Sequence, residues 1–232
     1  MKKKKKQIVV FAAHPDDEII GCGGTMARHI DDGDDVHVII LAEGVTGRDD
    51  HRDRALRKDS LSELAIAAHK ANRVLGVKSL TLEEFPDNRM DGVELLDVVK
   101  CIERHVASIQ PSLVYTHHIG DVNVDHRLVS QAVVVACRPQ PRHCVKEILF
   151  FEVASSTEWQ PAMEGFTFLP QVYVDVSDTL KTKMRALAEY HQEMRPWPHA
   201  RSNKAIEALA QWRGASVGVE AAEAFQMGRS IR

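Results

Sequence analysis

The stretch that decides the fold is Ile8-Val9-Val10-Phe11-Ala12-Ala13-His14-Pro15-Asp16-Asp17-Glu18-Ile19-Ile20-Gly21-Cys22-Gly23-Gly24-Thr25. Its opening apolar run is too short to cross a membrane, and it reads as a strand of a parallel sheet covered on both faces. A glycine-rich turn, a helical stretch and a second apolar run, Val36-His37-Val38-Ile39-Ile40-Leu41, follow it. That succession is a strand, helix, strand unit. Four groups able to bind metal or move protons, His14, Asp16, Asp17 and Glu18, therefore fall at the carboxyl end of a parallel strand, where open α/β sheets bind their ligands.

Working outward, the alternation continues. Ser60 and Glu63 fit a capping box, and Leu61, Leu64, Ala65, Ala68, Ala71 and Leu75 recur on one helical face until Gly76. A short strand is expected at Leu80-Thr81-Leu82. A helix carrying Leu95, Val98, Val99, Ile102, Val106 and Ile109 then runs to Pro111, before the strand Leu113-Val114-Tyr115-Thr116. Another helix is expected from about Asp125, then a strand at Ile148-Leu149-Phe150-Phe151. The fold class is thus α/β, a Rossmann-like parallel sheet covered by helices. Beyond residue 155 the pattern changes: 159–170 reads as irregular, Val172-Tyr173-Val174 as a strand, and 177–194 and 203–213 as helices. Residues 7–232 are read as one domain, with a core over 7–155 and a C-terminal α+β elaboration over 156–232.

Composition narrows the function. With 30 basic against 33 acidic residues, the net charge of −3 offers no basic excess for nucleic acid, so a small-molecule substrate is expected. Residues 1–6 form a basic tail whose run Lys2 to Lys6 lacks the long apolar region of a signal peptide, and no membrane span is expected. Cys22, Cys101, Cys137 and Cys144 form no Cys-x-x-Cys pair and read as reduced, mostly packing thiols, consistent with a cytoplasmic protein.

The glycines do not make a dinucleotide site, because Gly-x-Gly-Gly lacks the Gly-x-Gly-x-x-Gly spacing and carboxylates stand where a pyrophosphate would approach. Metal-assisted hydrolysis suits the residues better. It needs three protein ligands of the His and carboxylate type, an open coordination position and a carboxylate that is not a ligand. His14 and Asp17 can supply two ligands and leave Asp16 as base. A third must come from elsewhere, and the richest stretch is His117-His118-Ile119-Gly120-Asp121-Val122-Asn123-Val124-Asp125-His126-Arg127. In the strand order 3-2-1-4-5 the loops after strands one and four meet, so this stretch can share a metal with His14.

The strand leading into Ala13-His14-Pro15-Asp16-Asp17-Glu18, the glycine-rich segment and the later Asp125-His126 resemble the PIG-L/LmbE-like deacetylases. Less specific matches are Glu43-Gly44-Val45-Thr46, Phe85-Pro86-Asp87-Asn88-Arg89, Ser155-Ser156-Thr157-Glu158-Trp159 and Ala222-Glu223-Ala224-Phe225, which are similar to a bacterial branch associated with surface-polysaccharide sugars. The resemblance implies a zinc-dependent N-acetylglucosaminyl deacetylase acting on an amino sugar, free, glycosidic or nucleotide-linked. It implies that His14, Asp17 and His126 hold Zn2+ and that Asp16 is general base and then acid. His and carboxylate ligands also suit other divalent ions. Many family members carry a histidine at the position of Asn123, where it helps to stabilise the oxyanion. Here a neutral amide is left to donate that hydrogen bond.

Glu18 is expected to support the site by hydrogen bonds, and Asp125 to cap the helix or orient a neighbouring group. Arg48, Asp87 and Arg89, in loops after strands, are candidate contacts to sugar hydroxyls or a diphosphate, with solvated loop charges as the plain alternative. His117 and His118 compete with His126 as ligands. Trp159 is a candidate for stacking on a sugar face. The alternatives to an amino-sugar deacetylase are an amidohydrolase of another N-acyl amine and a non-catalytic sugar-binding module, and a homo-oligomer fits either.

Overall fold

A computed structural model describes residues 5–140 and 143–232. Part of the basic tail, residues 1–4, lies outside them. Lys5, which is described, pairs with Asp35 at 2.6 Å.

Period-two side-chain alternation in the first strand, β1 (Gln7–Ala12), explains the layering. Ile8, Val10 and Ala12 enter one apolar cluster, while Val9, Phe11 and Ala13 enter the other. Each face needs its own cover of helices. The first cluster is closed by α1 (Asp17–Asp31), α2 (Lys58–Leu75) and α5 (Leu180–Ala188), and the second by α3 (Leu95–Ile109) and α4 (Val124–Ala136).

The remaining strands are β2 (Asp35–Ala42), β3 (Ser79–Phe85), β4 (Leu113–His117), β5 (Glu147–Phe151), β6 (Val172–Asp175) and β7 (Ala222–Ser230). Their order is β3-β2-β1-β4-β5-β7-β6. The first five are parallel and in the expected 3-2-1-4-5 arrangement, with Ile8 opposite Val36 on one side and Leu113 on the other. β7 runs antiparallel between β5 and β6. The C-terminal segment, which also contains α6 (Asn203–Ala215), thus extends the same sheet.

Three local expectations change. The capping box at Ser60 and Glu63 is absent, because α2 starts earlier, at Lys58, after Arg57 and a turn in which Asp53 Oδ1 accepts from Ala55 and Leu56 N–H. The expected helix over 177–194 is only Leu180–Ala188, and the chain then turns until α6.

The glycine-rich segment is helix interior, not a turn. α1 runs through Gly21-Cys22-Gly23-Gly24 with one non-helical residue, Cys22, at φ −148° and ψ 25°. That kink releases the N–H groups of Gly24 and Thr25, and both donate to the Glu223 carboxylate of β7, at 3.0 and 2.7 Å. Lys183 of α5 balances that buried charge at 2.6 Å. Gly21 permits the close approach to the sheet, since a Cβ there would lie 2.4 Å from the Phe151 ring.

Candidate active site and metal centre

The carboxyl ends of β1 and β4, adjacent strands whose chains leave the sheet toward different helices, make a cleft. It is completed by the loops after β2 and β3 and by the segment between α5 and α6. His14 follows β1 directly, and His126 is carried in on the first turn of α4.

Three atoms converge there. His14 Nδ1 lies 3.3 Å from His126 Nε2 and 3.3 Å from Asp17 Oδ2, and His126 Nε2 lies 3.1 Å from the same oxygen. A tetrahedral ion with bonds of ~2.0–2.1 Å spaces such ligands by roughly 3.3 Å. Asp17 Oδ1 is buried with no hydrogen-bond partner, another sign that the carboxylate is arranged for a cation.

The tautomers agree with this arrangement. His14 Nε2 faces outward to Asp125 Oδ2 at 3.1 Å and Asp87 Oδ1 at 3.2 Å, so its proton belongs there and the Nδ1 lone pair points inward. His126 Nδ1 likewise faces Asp121 Oδ2 at 3.1 Å, turning Nε2 inward. Burial opposes protonation of His126, but Asp17 and Asp121 outweigh it and raise its pKa to about 9. Buried acidic charge of this density fits a cation, and the donor set fits a borderline divalent one.

His117 and His118 stand apart from this set. His117 Nε2 already accepts from Ala13 N–H at 2.8 Å, and its ring stacks on His126 with centroids 4.0 Å apart. Burial pushes the His117 pKa well below the usual value, so the ring is a neutral wall. His118 Nδ1 accepts from Gly120 N–H.

Asp16 sits at the entry to α1 with φ 108°, a left-handed conformation in which a residue with a side chain is strained, as is common at functional sites. Its Oδ2 accepts from Arg201 Nη1 at 3.0 Å, and Arg201 Nε donates to Ser155 Oγ at 3.0 Å. Burial raises the Asp16 pKa well above the carboxylate range, against the opposing pull of Arg201. Glu18 is fully buried and accepts from Tyr190 Oη at 2.7 Å, Asn72 Nδ2 at 2.9 Å and the Asp16 N–H at 3.0 Å. It therefore braces the turn that presents Asp16, and burial carries its pKa to about 7.

Asn123 caps α4: its side-chain oxygen accepts from Asp125 N–H at 2.9 Å and His126 N–H at 3.4 Å. The helix-cap alternative for Asp125 is thus corrected. Asp125 instead accepts from the N–H groups of Asn88 and Met90 and faces His14. Asn123 Nδ2 donates to Asn88 Oδ1 at 2.9 Å, which leaves one amide hydrogen to donate.

Arg48 lines the cleft but is held by the buried Glu193, with contacts of 2.5 and 2.7 Å. Asp87 also lines it, accepting from Gly47 N–H at 2.8 Å while facing His14. Arg89 does not line the cleft; it donates to the carbonyls of Asp49 and Asp50 and holds that loop. Trp159 is exposed, edge-on to His199.

Sequence reasoning passed over three residues. Asp121 lay inside the quoted stretch but was overshadowed by its histidines. Glu193 was read as part of a helix, and Arg201 lies in the loop Arg195-Pro196-Trp197-Pro198-His199-Ala200-Arg201, whose two prolines mark it as shaped chain.

The sequence pattern of the family described as "PIG-L: GlcNAc-PI de-N-acetylase" matches residues 9–137, which run from within β1 to the end of α4 and hold all three converging atoms. The chain belongs to the PIG-L family. Within this family it is 30% identical over 194 residues to the Escherichia coli (strain K12) "Uncharacterized deacetylase YaiS", covering 82% of this chain and 92% of that one. It is 24% identical over 213 residues to a Bacillus cereus "Probable N-acetyl-alpha-D-glucosaminyl L-malate deacetylase 2", covering 90% and 94%. The PIG-L fold is shared with the N,N'-diacetylchitobiose deacetylase from Pyrococcus horikoshii, with a TM-score of 0.74 and 19% identity over 97% of this chain and 84% of that one.

Proposed function

We propose that this PIG-L protein is a metal-dependent hydrolase that removes the acetyl group from an N-acetylated amino sugar or sugar conjugate. The observation that carries the reading is the convergence of His14 Nδ1, Asp17 Oδ2 and His126 Nε2 at 3.1–3.3 Å, with Asp16 beside them in the cleft. The relatives support the substrate class, since one is named as a diacetylchitobiose deacetylase and another as a probable N-acetyl-alpha-D-glucosaminyl L-malate deacetylase.

His14, Asp17 and His126 would hold the ion, zinc in the first instance. When bound, such an ion supplies Lewis acidity that makes water a nucleophile near neutral pH and stabilises the charge developing on the amide oxygen. Asp16 takes the proton from the attacking water and delivers it to the departing amine, the poor leaving group of amide hydrolysis. Arg201 fixes the Asp16 carboxylate from one side, and Glu18 fixes its backbone from beneath. Asn123 supplies its remaining amide hydrogen to the developing oxyanion. The cleft is open to solvent and offers about 260 Å³, space for about one sugar ring.

Acetate and free amine should be measured after incubating zinc-loaded protein with N-acetylglucosamine, diacetylchitobiose, N-acetylglucosaminyl malate and simple N-acyl amines. Acetate release from the sugars, lost with chelator and restored by metal, is expected. Release confined to non-sugar amines would move the protein to another substrate class, and no carboxylate from any compound would defeat the proposal.

A further inference from the structure

Away from the cleft, α3 and the edge strand β3 bring three unlike ligand groups together. Cys101 and His105 are four residues apart on α3 and so share one face of the helix, and Glu83 reaches them from β3. Glu83 Oε1 lies 2.8 Å from His105 Nε2, and a ligand atom from each of the three lies within 4.8 Å of the others. None of the three lines the cleft.

We propose that Glu83, Cys101 and His105 form a second divalent-metal site, a thiolate, imidazole and carboxylate set that takes a zinc-class ion and ties β3 to α3. A Glu–His ion pair alone would account for two of these groups. The Cys101 thiol adds a third, different donor type to the same point. Burial first, and then the Glu83 charge, push the Cys101 thiol up to about 11. On binding an ion the Sγ–H bond breaks, its proton leaves to solvent, and the sulfur electron pair forms the bond to the ion.

The three donor atoms, which lie within 4.8 Å of one another, must adjust to coordination spacing. Tetrahedral coordination by N, O and S spaces the ligands by roughly 3.3–3.6 Å, so the His105 to Glu83 contact must open by about half an ångström. Both side chains can move, being 19% and 27% exposed, whereas Cys101 is buried at 1% and forms the floor. A thiolate with an imidazole selects zinc, cobalt or cadmium over magnesium or calcium.

The test uses the whole protein loaded with Co2+, because a thiolate bound to cobalt gives an intense near-ultraviolet charge-transfer band that His and carboxylate ligands do not. The wild type should show the band and bind two ions per chain. Cys101→Ser should abolish the band and lower the stoichiometry by one while leaving acetate release unchanged. His105→Gln and Glu83→Gln, which keep hydrogen-bonding groups, should each weaken cobalt binding at this site at least tenfold. His14→Ala should keep the band while losing the other ion, so failure here and failure of the deacetylase reading are separable. Absence of the band in the wild type, or its survival in Cys101→Ser, would overturn the proposal. Should Cys101→Ser not fold, the two glutamine variants decide it in the same way.

Discussion

The outward-facing support of His126 is open to a quantitative test through Asp121→Asn. Asp121 Oδ2 sits 3.1 Å from His126 Nδ1, and the carboxylate also accepts from Ser156 Oγ, from Thr157 Oγ1 at 2.8 Å and from the Asn123 N–H at 2.8 Å. Burial opposes its charge, but His126 and these donors hold its pKa down to about 2. Asparagine keeps the shape and one acceptor. Where its NH2 replaces an oxygen, a neighbouring hydroxyl can rotate to accept, so folding should survive. What goes is the negative charge that holds the Nδ1 proton and keeps the Nε2 lone pair aimed at the proposed metal position. Loss of such a support weakens metal binding ~10–100-fold, or about 1.4–2.7 kcal/mol. Competition for Zn2+ against a chromophoric chelator measures this directly, with acetate release at saturating metal as the second readout. The expected result is a raised Kd with substantial activity recovered by excess zinc. An unchanged Kd would refute the idea that Asp121 sets the His126 tautomer for metal.

Other consequences are as direct. Asp16→Asn should lower kcat by ~10²–10⁴-fold with metal content unchanged, and an unaltered rate of acetate release would remove Asp16 from proton transfer. Gly21→Ala places a Cβ 2.4 Å from the Phe151 ring and should cost about 1–3 kcal/mol in urea unfolding; no loss would show that α1 can shift freely on the sheet. Glu223→Ala strands the buried Lys183 and the N–H groups of Gly24 and Thr25, and about 3–5 kcal/mol should be lost. Adding Lys183→Met to that variant should recover part of it, and a purely additive double mutant would contradict the pairing.

The parallel core was legible because its signals are local and repeated. Ile8–Ala13 is a continuous apolar run, Val36–Leu41 is one broken only by His37, and Pro111 and Gly76 stand where helices end. The meeting of residues 14–18 with 117–127 followed from strand order alone. β7 was not legible as a strand: Glu223 interrupts its apolar start, and that glutamate is buried only because Lys183 and two freed N–H groups receive it. The glycine segment misled for a related reason. Gly21 and its neighbours look like a turn in isolation, and only the approach to Phe151 gives them a role inside a helix. Arg201 could not be seen because its contact to Asp16 spans 185 residues and has no spacing rule.

Adjacent aspartates in this site are driven in opposite directions, and that contrast separates their duties better than position does. Both are fully buried, and burial alone would make each hard to ionise. Burial opposes ionisation of Asp17, but the charge and hydrogen bond of His126, with a hydrogen bond from His14, outweigh it and hold its pKa well below the carboxylate range. Asp16 has one cation, Arg201, which falls short of offsetting burial and the repulsion of Asp17 and Glu193, so its proton is held well above that range. A carboxylate kept ionised is suited to stay on a metal, and one with a raised proton affinity is suited to accept a proton and return it. The backbone makes the split possible: at φ 108° Asp16 turns away from the helix that Asp17 begins, so two neighbours reach different partners. Exchanging the arrangement should therefore fail asymmetrically. Asp17→Asn should lose metal and rate together, whereas Asp16→Asn should keep the metal and lose only the rate; equal metal loss in both would mean that the two carboxylates share one role.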